Sequence, residues 1–244
     1  MNLILLFPED FISEHTVVLN GPRLEHIQQV LRAETGQALR VGVLNGRLGT
    51  GTITAMSDKG VELKVTLTEP PPAPLQVTLL LAMPRPKCFR RIIQCVTTMG
   101  VKRIALFGAY RVEKSYWKSP WLDAAELQRQ LVLGLEQARD TVLPQVTLHP
   151  LFKTFVEDDL PSLVAGTRCL VAHPGEGGLC PVGLPGPVTL AIGPEGGFTD
   201  YELGLLAAGG FEGITLGPRI LRTEQAVPAL LGRLMGEEGL KQVG

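Results

Sequence analysis

Cysteine and histidine are scarce here and poorly spaced for metal or redox work. Four cysteines (Cys88, Cys95, Cys169, Cys180) contain no C-x-x-C pair, and four histidines (His15, His26, His149, His173) include no H-E-x-x-H. Zinc ribbons, redox motifs and disulfide frameworks need such spacings, so reduced thiols and no metal are expected. Aromatic residues make up only 5% of the chain. No uninterrupted apolar run reaches the roughly 18 residues of a spanning helix. The stretch Met1-Asn2-Leu3-Ile4-Leu5-Leu6-Phe7-Pro8 lacks the basic start and small-residue cleavage site of a secretory signal. The expectation is no membrane partner and a cytoplasmic address. Internal repeats are also missing.

Net charge is nearly absent, at −1 over 244 residues. That total argues against a phosphate-binding protein, which needs Lys and Arg, but the distribution reverses the argument. Residues 84–118 carry nine basic groups against one acidic, a local +8, while the flanks are acidic. Arg85, Lys87, Arg90, Arg91, Lys102, Arg103, Arg111, Lys114 and Lys118 stand near Tyr110, Tyr116, Trp117 and Trp121. A charge run can be no more than a solvated face; interleaved with aromatics, it also suits RNA.

The first seventy residues show short alternating or apolar runs at Leu3–Phe7, Thr16–Leu19, Leu39–Leu44, Gly51–Met56 and Val61–Leu67. Asn45-Gly46 and Ser57-Asp58-Lys59-Gly60 supply tight reversals between them. Asn20 is placed to cap a helix starting near Pro22, with Leu24, Ile27, Val30 and Leu31 on one apolar face. The pattern predicts a small antiparallel β-barrel over residues 1–69. Glu69-Pro70-Pro71-Pro72-Ala73-Pro74 then forms a stiff linker, because proline fixes φ and removes amide donors.

A second domain is expected over residues 75–244. Apolar runs alternate there with helical periods: Leu75–Ala82, a helix at Arg85–Thr98, Arg103–Phe107, a helix at Leu122–Ala138, then Cys169–Ala172 and Val188–Ile192. This is the rhythm of an α/β domain with a mostly parallel sheet. Thr199-Asp200-Tyr201-Glu202 fits a capping box, with Gly209 or Gly210 to end its helix. Glu212–Leu216 reads as a strand and Thr223 onward as a last helix, where Pro228 demands a kink or a late start.

Ligands of parallel sheets gather where strands end, at loops and helix N-termini with unpaired amides. Two loops qualify. Ile192-Gly193-Pro194-Glu195-Gly196-Gly197-Phe198 follows one strand, and Leu216-Gly217-Pro218-Arg219-Ile220-Leu221-Arg222-Thr223-Glu224 follows another. Taken alone, the first is also a tight β–α turn, and the arginines of the second are also ordinary surface residues.

Together these two segments resemble the signature of the bacterial small-subunit ribosomal RNA uridine-N3 methyltransferases, a branch of the SPOUT class. His26-Ile27-Gln28-Gln29-Val30-Leu31-Arg32 is similar to that family's N-terminal H-x-x-x-V-L-R, and Glu136-Gln137 to its central E-Q segment. The chain departs from the pattern at Arg85-Pro86-Lys87, at Gln94–Gly100 and at Asp140, where an arginine is common.

The resemblance implies a PUA-like RNA-binding β-barrel followed by a SPOUT α/β domain with a C-terminal deep trefoil knot. It implies S-adenosylmethionine as cofactor and a homodimer that methylates N3 of one uridine in 16S ribosomal RNA within the assembled 30S subunit. By position, the cofactor would be lined by Ala172, His173, Ile192, Gly193, Pro194, Glu195, Gly196, Gly197, Leu216, Gly217, Ile220, Leu221 and Thr223. Uridine N3 must lose a proton to become nucleophilic, so a base or a cationic clamp is needed. Arg222 and Arg219 suit the clamp; Glu195 is the carboxylate nearest the loop in sequence, equally suited to orienting backbone amides.

RNA contacts are expected at Arg23, His26, Arg32, Arg85, Lys87, Arg90, Arg91, Arg111 and Trp117. Leu230, Leu231, Leu234 and Met235 suit either a dimer interface or the core of one subunit. Two other readings stay open: a non-catalytic ribosome-assembly factor, and a SPOUT enzyme acting on transfer RNA or a ribose 2′-hydroxyl.

Overall fold

The computed structural model describes residues 2–175 and 177–240. Two compact units form: one contains the residues up to Pro72 together with Val132–Leu143, the other Ala73–Leu131 and the chain from Pro144 onward. The expected linker lies at this boundary, but the first unit also takes in a later piece of chain.

In the first unit, β1 (Ile4–Leu6), β2 (Phe11–Ser13), β3 (Thr16–Leu19), β4 (Ala38–Val43), β5 (Leu48–Ser57) and β6 (Gly60–Glu69) make one sheet in the order β1-β4-β5-β6-β3-β2. Four of its pairings are antiparallel, as the alternation predicts; β1 instead runs parallel to β4. Ile4, Leu6, Val17, Leu19, Val41, Ile53, Val61 and Leu63 fill its core.

Asn45 takes a left-handed φ of 57° in the β4–β5 reversal. Its side chain accepts from Leu143 N–H at 2.9 Å, and its own N–H donates to Thr141 O at 2.8 Å. The same turn thus closes a hairpin and anchors the segment that returns to this unit. Leu135 packs there with Leu3, Leu5 and Leu48.

The helix at Gly21 departs from expectation twice. Asn20 stands at the N-cap, yet its side chain makes no capping hydrogen bond. After α1 (Gly21–Glu25) the chain continues as a π turn, His26–Val30, closed by Leu31 N–H on His26 O. The wider turn rotates later residues off the 3.6-residue stripe. Leu24 and Ile27 are buried as predicted, whereas Val30 is 66% exposed and Leu31 38%. Arg32 follows with φ 50°.

The second unit holds β7 (Leu75–Ala82), α2 (Pro86–Thr98), β8 (Val101–Phe107), α3 (Ala124–Ala138, its last residues in the first unit), β9 (Gln145–His149), α4 (Phe152–Thr154), α5 (Leu160–Val164), β10 (Arg168–Ala172), β11 (Gly178–Leu179), β12 (Val188–Ile192), α6 (Asp200–Ala208), β13 (Glu212–Thr215) and α7 (Thr223–Leu240). A π turn over Phe155–Asp159 joins α4 to α5. The seven strands are all parallel, in the order β11-β13-β10-β12-β7-β8-β9.

Why α2 forms is plain from its faces: Pro86 opens it, Phe89, Ile92, Ile93 and Val96 are buried, and Lys87, Arg90 and Arg91 stay in solvent. The Thr199–Glu202 capping box is present, and Gly210 rather than Gly209 takes the left-handed cap, at φ 87°.

Helix α7 begins at Thr223 and carries Pro228 inside it, so it does not start late. Pro228 has no N–H to offer the carbonyl one turn back, and packing outweighs that loss: Val227, Leu230, Leu231 and Leu234 are each at most 4% exposed. Of the two roles open to Leu230, Leu231 and Leu234, packing within the core of their own subunit is the one these side chains serve.

Candidate active site

Three neighbouring parallel strands, β13, β10 and β12, end at one cavity of about 250 Å³. Its wall comes from Ala172, His173 and Pro174 after β10, Ile192–Glu195, Gly197 and Phe198 after β12, and Ile214–Leu216 with Arg219–Thr223 after β13; Ala226 and Leu230 of α7 complete it. Every expected cofactor residue lines this space except Gly196 and Gly217, which belong to the same two loops. Pro174, Phe198, Ile214, Thr215, Ala226 and Leu230 were not expected. The apolar strand ends and the helix face carried no motif, and only the fold brings them here.

The first loop is shaped by missing side chains. A Cβ on Gly193 would stand 3.0 Å from the Phe198 ring, and Gly197 has φ 73°, where a side chain is strained. Phe198 is 3% exposed and lies parallel to Phe107 at 6.2 Å between ring centroids. The loop is therefore a glycine cradle pressed against a buried aromatic pair.

Glu195 has a structural partner. Its Oε1 accepts the backbone N–H of Arg85 at 3.0 Å, fastening the cradle to the residue that precedes α2. The orienting role is the one this geometry serves. Arg219 and Arg222 line the opposite loop with guanidinium groups that make no hydrogen bond or ion pair among the described residues.

His173 supplies the polar anomaly of the cavity. Its Nδ1 is buried without a hydrogen-bond partner among the described residues. A buried polar atom without a partner costs free energy, and a ligand group can remove that cost. The glycine room, the apolar wall of Ile192, Leu216 and Leu230 and this one unsatisfied nitrogen fit a cofactor that is part apolar and part hydrogen-bonding.

The expected RNA contacts fall into distinct groups. Arg85 is exposed just before α2, and Lys87 and Arg91 on it; Arg90 is exposed too, with its guanidinium 5.2 Å from the Trp121 ring centroid. Trp117 is half-buried in a 3₁₀ turn, Lys114–Lys118. Arg111 is exposed but turned to the cradle, donating to Gly196 O at 2.5 Å. Arg23 has an internal task instead: it grips buried Asp10 through both nitrogens, at 2.5 and 2.6 Å. To reach a phosphate it would have to abandon that carboxylate. His26 is half-buried, and burial lowers its pKa, so it offers an edge rather than a charge. Arg32 is exposed.

Two domain families match this chain: an RNA methyltransferase domain over residues 71–235 and an RNA methyltransferase PUA domain over residues 19–66. A structure from Neisseria gonorrhoeae, a ribosomal RNA small subunit methyltransferase E bound to S-adenosyl methionine, superposes with a TM-score of 0.76 over 96% of this chain and 97% of its own, at 23% identity. Fold and site together define an α/β methyltransferase of the SPOUT class with a PUA-like N-terminal unit.

Two sequences narrow the class. Ribosomal RNA small subunit methyltransferase E of Treponema pallidum is 32% identical, covering 94% of this chain and 88% of its own. Its namesake in Synechocystis is 31% identical, covering 95% and 76%. The chain belongs to this family of small-subunit ribosomal RNA methyltransferases.

Proposed function

We propose that this protein methylates N3 of a uridine in 16S ribosomal RNA, using S-adenosylmethionine and working as a homodimer on the assembled 30S subunit in the cytoplasm. One observation carries the reading: a glycine cradle and two guanidinium groups, unpaired among the described residues, face the same cavity. The names of the relatives support the substrate class, and the bound ligand of the gonococcal protein supports the cofactor. Membership of the family supports a deep trefoil knot in the C-terminal chain.

When bound, S-adenosylmethionine supplies an electrophilic methyl group on a sulfonium. The residues that would hold it are Ala172, His173, the loop from Ile192 to Gly197, and Leu216, Gly217, Ile220, Leu221 and Thr223. Arg222 and Arg219 stabilise negative charge on the uracil oxygens as the N3 proton passes to water, because a guanidinium stays charged and presents a planar fork of donors. Glu195 serves by holding the loop to α2 through Arg85 N–H. Orientation of the base over the cavity contributes the remaining acceleration.

Mapping modified nucleotides in ribosomal RNA from a deletion strain tests the target: one N3-methyluridine of 16S RNA should vanish and return on complementation. A missing mark on transfer RNA or a ribose would overturn it. For the mechanism, Arg222→Ala should slow single-turnover transfer by roughly a hundredfold or more while cofactor affinity stays near parental. An unchanged rate would assign Arg222 to structure.

A further inference from the structure

The loop that follows β8 is fastened to the glycine cradle at three points, and the fastening leaves one aromatic side chain outside. Glu202, 2% exposed, accepts from Tyr110 N–H at 2.7 Å, Thr199 N–H at 2.8 Å and Thr199 Oγ1 at 2.9 Å. The carboxylate that caps α6 therefore also fixes the backbone of Tyr110. Next to it, Arg111 Nη1 donates to Gly196 O at 2.5 Å and Phe198 O at 3.4 Å. A Cβ on Gly196 would stand 3.0 Å from Arg111 Cδ and 3.2 Å from its Cβ, so the arginine stem lies flat on the glycine. The Phe107–Phe198 stack is the third point. Tyr110, between these anchors, is 84% exposed.

We propose that Arg111 and Glu202 are positioning residues that latch the Tyr110 loop to the cofactor cradle, so that occupancy of the cavity and docking of an unpaired RNA base on Tyr110 are energetically coupled. The proposal rests on the cofactor reading above and corrects Arg111 from a phosphate contact to an internal one. A tyrosine with its backbone fixed and its ring in solvent is a ready stacking surface, since every base has a π face. Whatever orders residues 193–198 orders Tyr110 through the latch, and the second ligand then bears less of the ordering cost. Linkage makes the effect mutual: each ligand raises the affinity of the other by the same factor.

The test uses the full-length protein, S-adenosylhomocysteine as the unreactive probe of the cavity, and a single-stranded uridine-containing oligoribonucleotide. RNA affinity is measured with and without the probe, across a salt series. In the parent, the probe should tighten RNA on the order of fivefold. Arg111→Gln should weaken the probe roughly tenfold, bring the coupling factor near one and leave the salt slope unchanged. Arg111→Lys keeps the charge but has a shorter reach and no planar guanidinium to hold a donor rigidly at Gly196 O, and should lose coupling too. Tyr110→Ala should weaken RNA without weakening the probe.

Coupling that persists in both Arg111 variants overturns the latch. So does a salt slope lowered by about one in Arg111→Gln with probe affinity intact, the mark of a phosphate contact. A parent that binds no S-adenosylhomocysteine overturns the cofactor reading instead, a result distinct from normal binding without coupling.

Discussion

Arg233 donates from both Nε and Nη2 to the carbonyl oxygen of Cys180, at 2.9 and 2.7 Å. Gly183 N–H returns a bond to Arg233 O at 2.9 Å. Helix α7 and the chain after β11 are thereby tied in both directions, and Cys180 itself is 1% exposed. Arg233→Ala should cost about 2 kcal/mol, because a buried carbonyl loses charge-assisted donors. Thermal unfolding should show it as a drop of several degrees. Arg233→Lys should restore only part, and equal melting of all three would leave the pair without net value.

Glu136 predicts a pH dependence of stability. It is 7% exposed, and burial raises its pKa to about 7, against the lowering effects of Leu5 N–H and Arg23. The folded protein thus keeps a proton there that the unfolded chain releases near 4.5. Its contribution is full below pH 4.5, falls as pH rises to about 7, and is gone above that. The span corresponds to about 3 kcal/mol. Glu136→Gln, which still accepts from Leu5 N–H, should remove that slope and gain stability at pH 8. Parallel denaturation curves for both proteins from pH 5 to 8 would refute it.

Gly193→Ala tests the cradle. The new methyl would meet the Phe198 ring at 3.0 Å, and that ring is locked against Phe107. Cofactor affinity by calorimetry should fall about tenfold or more, with a melting temperature lowered by only a few degrees, the cost of a mild overpacking. Parental affinity would show that Phe198 yields freely.

On α2, Lys87 and Arg91 are exposed, while Arg90 lies over Trp121. Neutralising Lys87 and Arg91 together should flatten the dependence of log RNA affinity on log salt by about two units, whereas Arg90→Gln should change it less. Cofactor affinity should stay constant. A parental slope in the double variant would make the strip a solvated face.

Much of this architecture could be read in the chain because the decisive signals are local. Thr16–Leu19 and Val188–Ile192 are strands with the bounds their apolar runs predict, and the Thr199–Glu202 box is closed. The two loop motifs meet in space because β12 and β13 flank β10. What stayed hidden depends on distant partners. β9 (Gln145–His149) is a half-buried edge strand with little periodicity, and α4–α5 is broken by a π turn that shifts the phase of its apolar side chains. Val30 and Leu31 were misassigned for the same reason. The capping box gives no sign that Glu202 also holds Tyr110 N–H, and no motif marks the bond of Arg111 to Gly196 O, since each acts on a backbone group far away in sequence.

The return of Val132–Leu143 to the first unit has a consequence for the order of folding. A chain emerging from the ribosome exposes its N-terminal sheet first, yet Leu135, Thr141 and Leu143, which pack on or hydrogen-bond to that sheet and its turn, come seventy residues or so after its last strand. Between the two pieces run β7, α2 and β8. The N-terminal unit is therefore finished only after these and the first half of α3 have been made, and the nascent protein must hold an incomplete sheet while it waits.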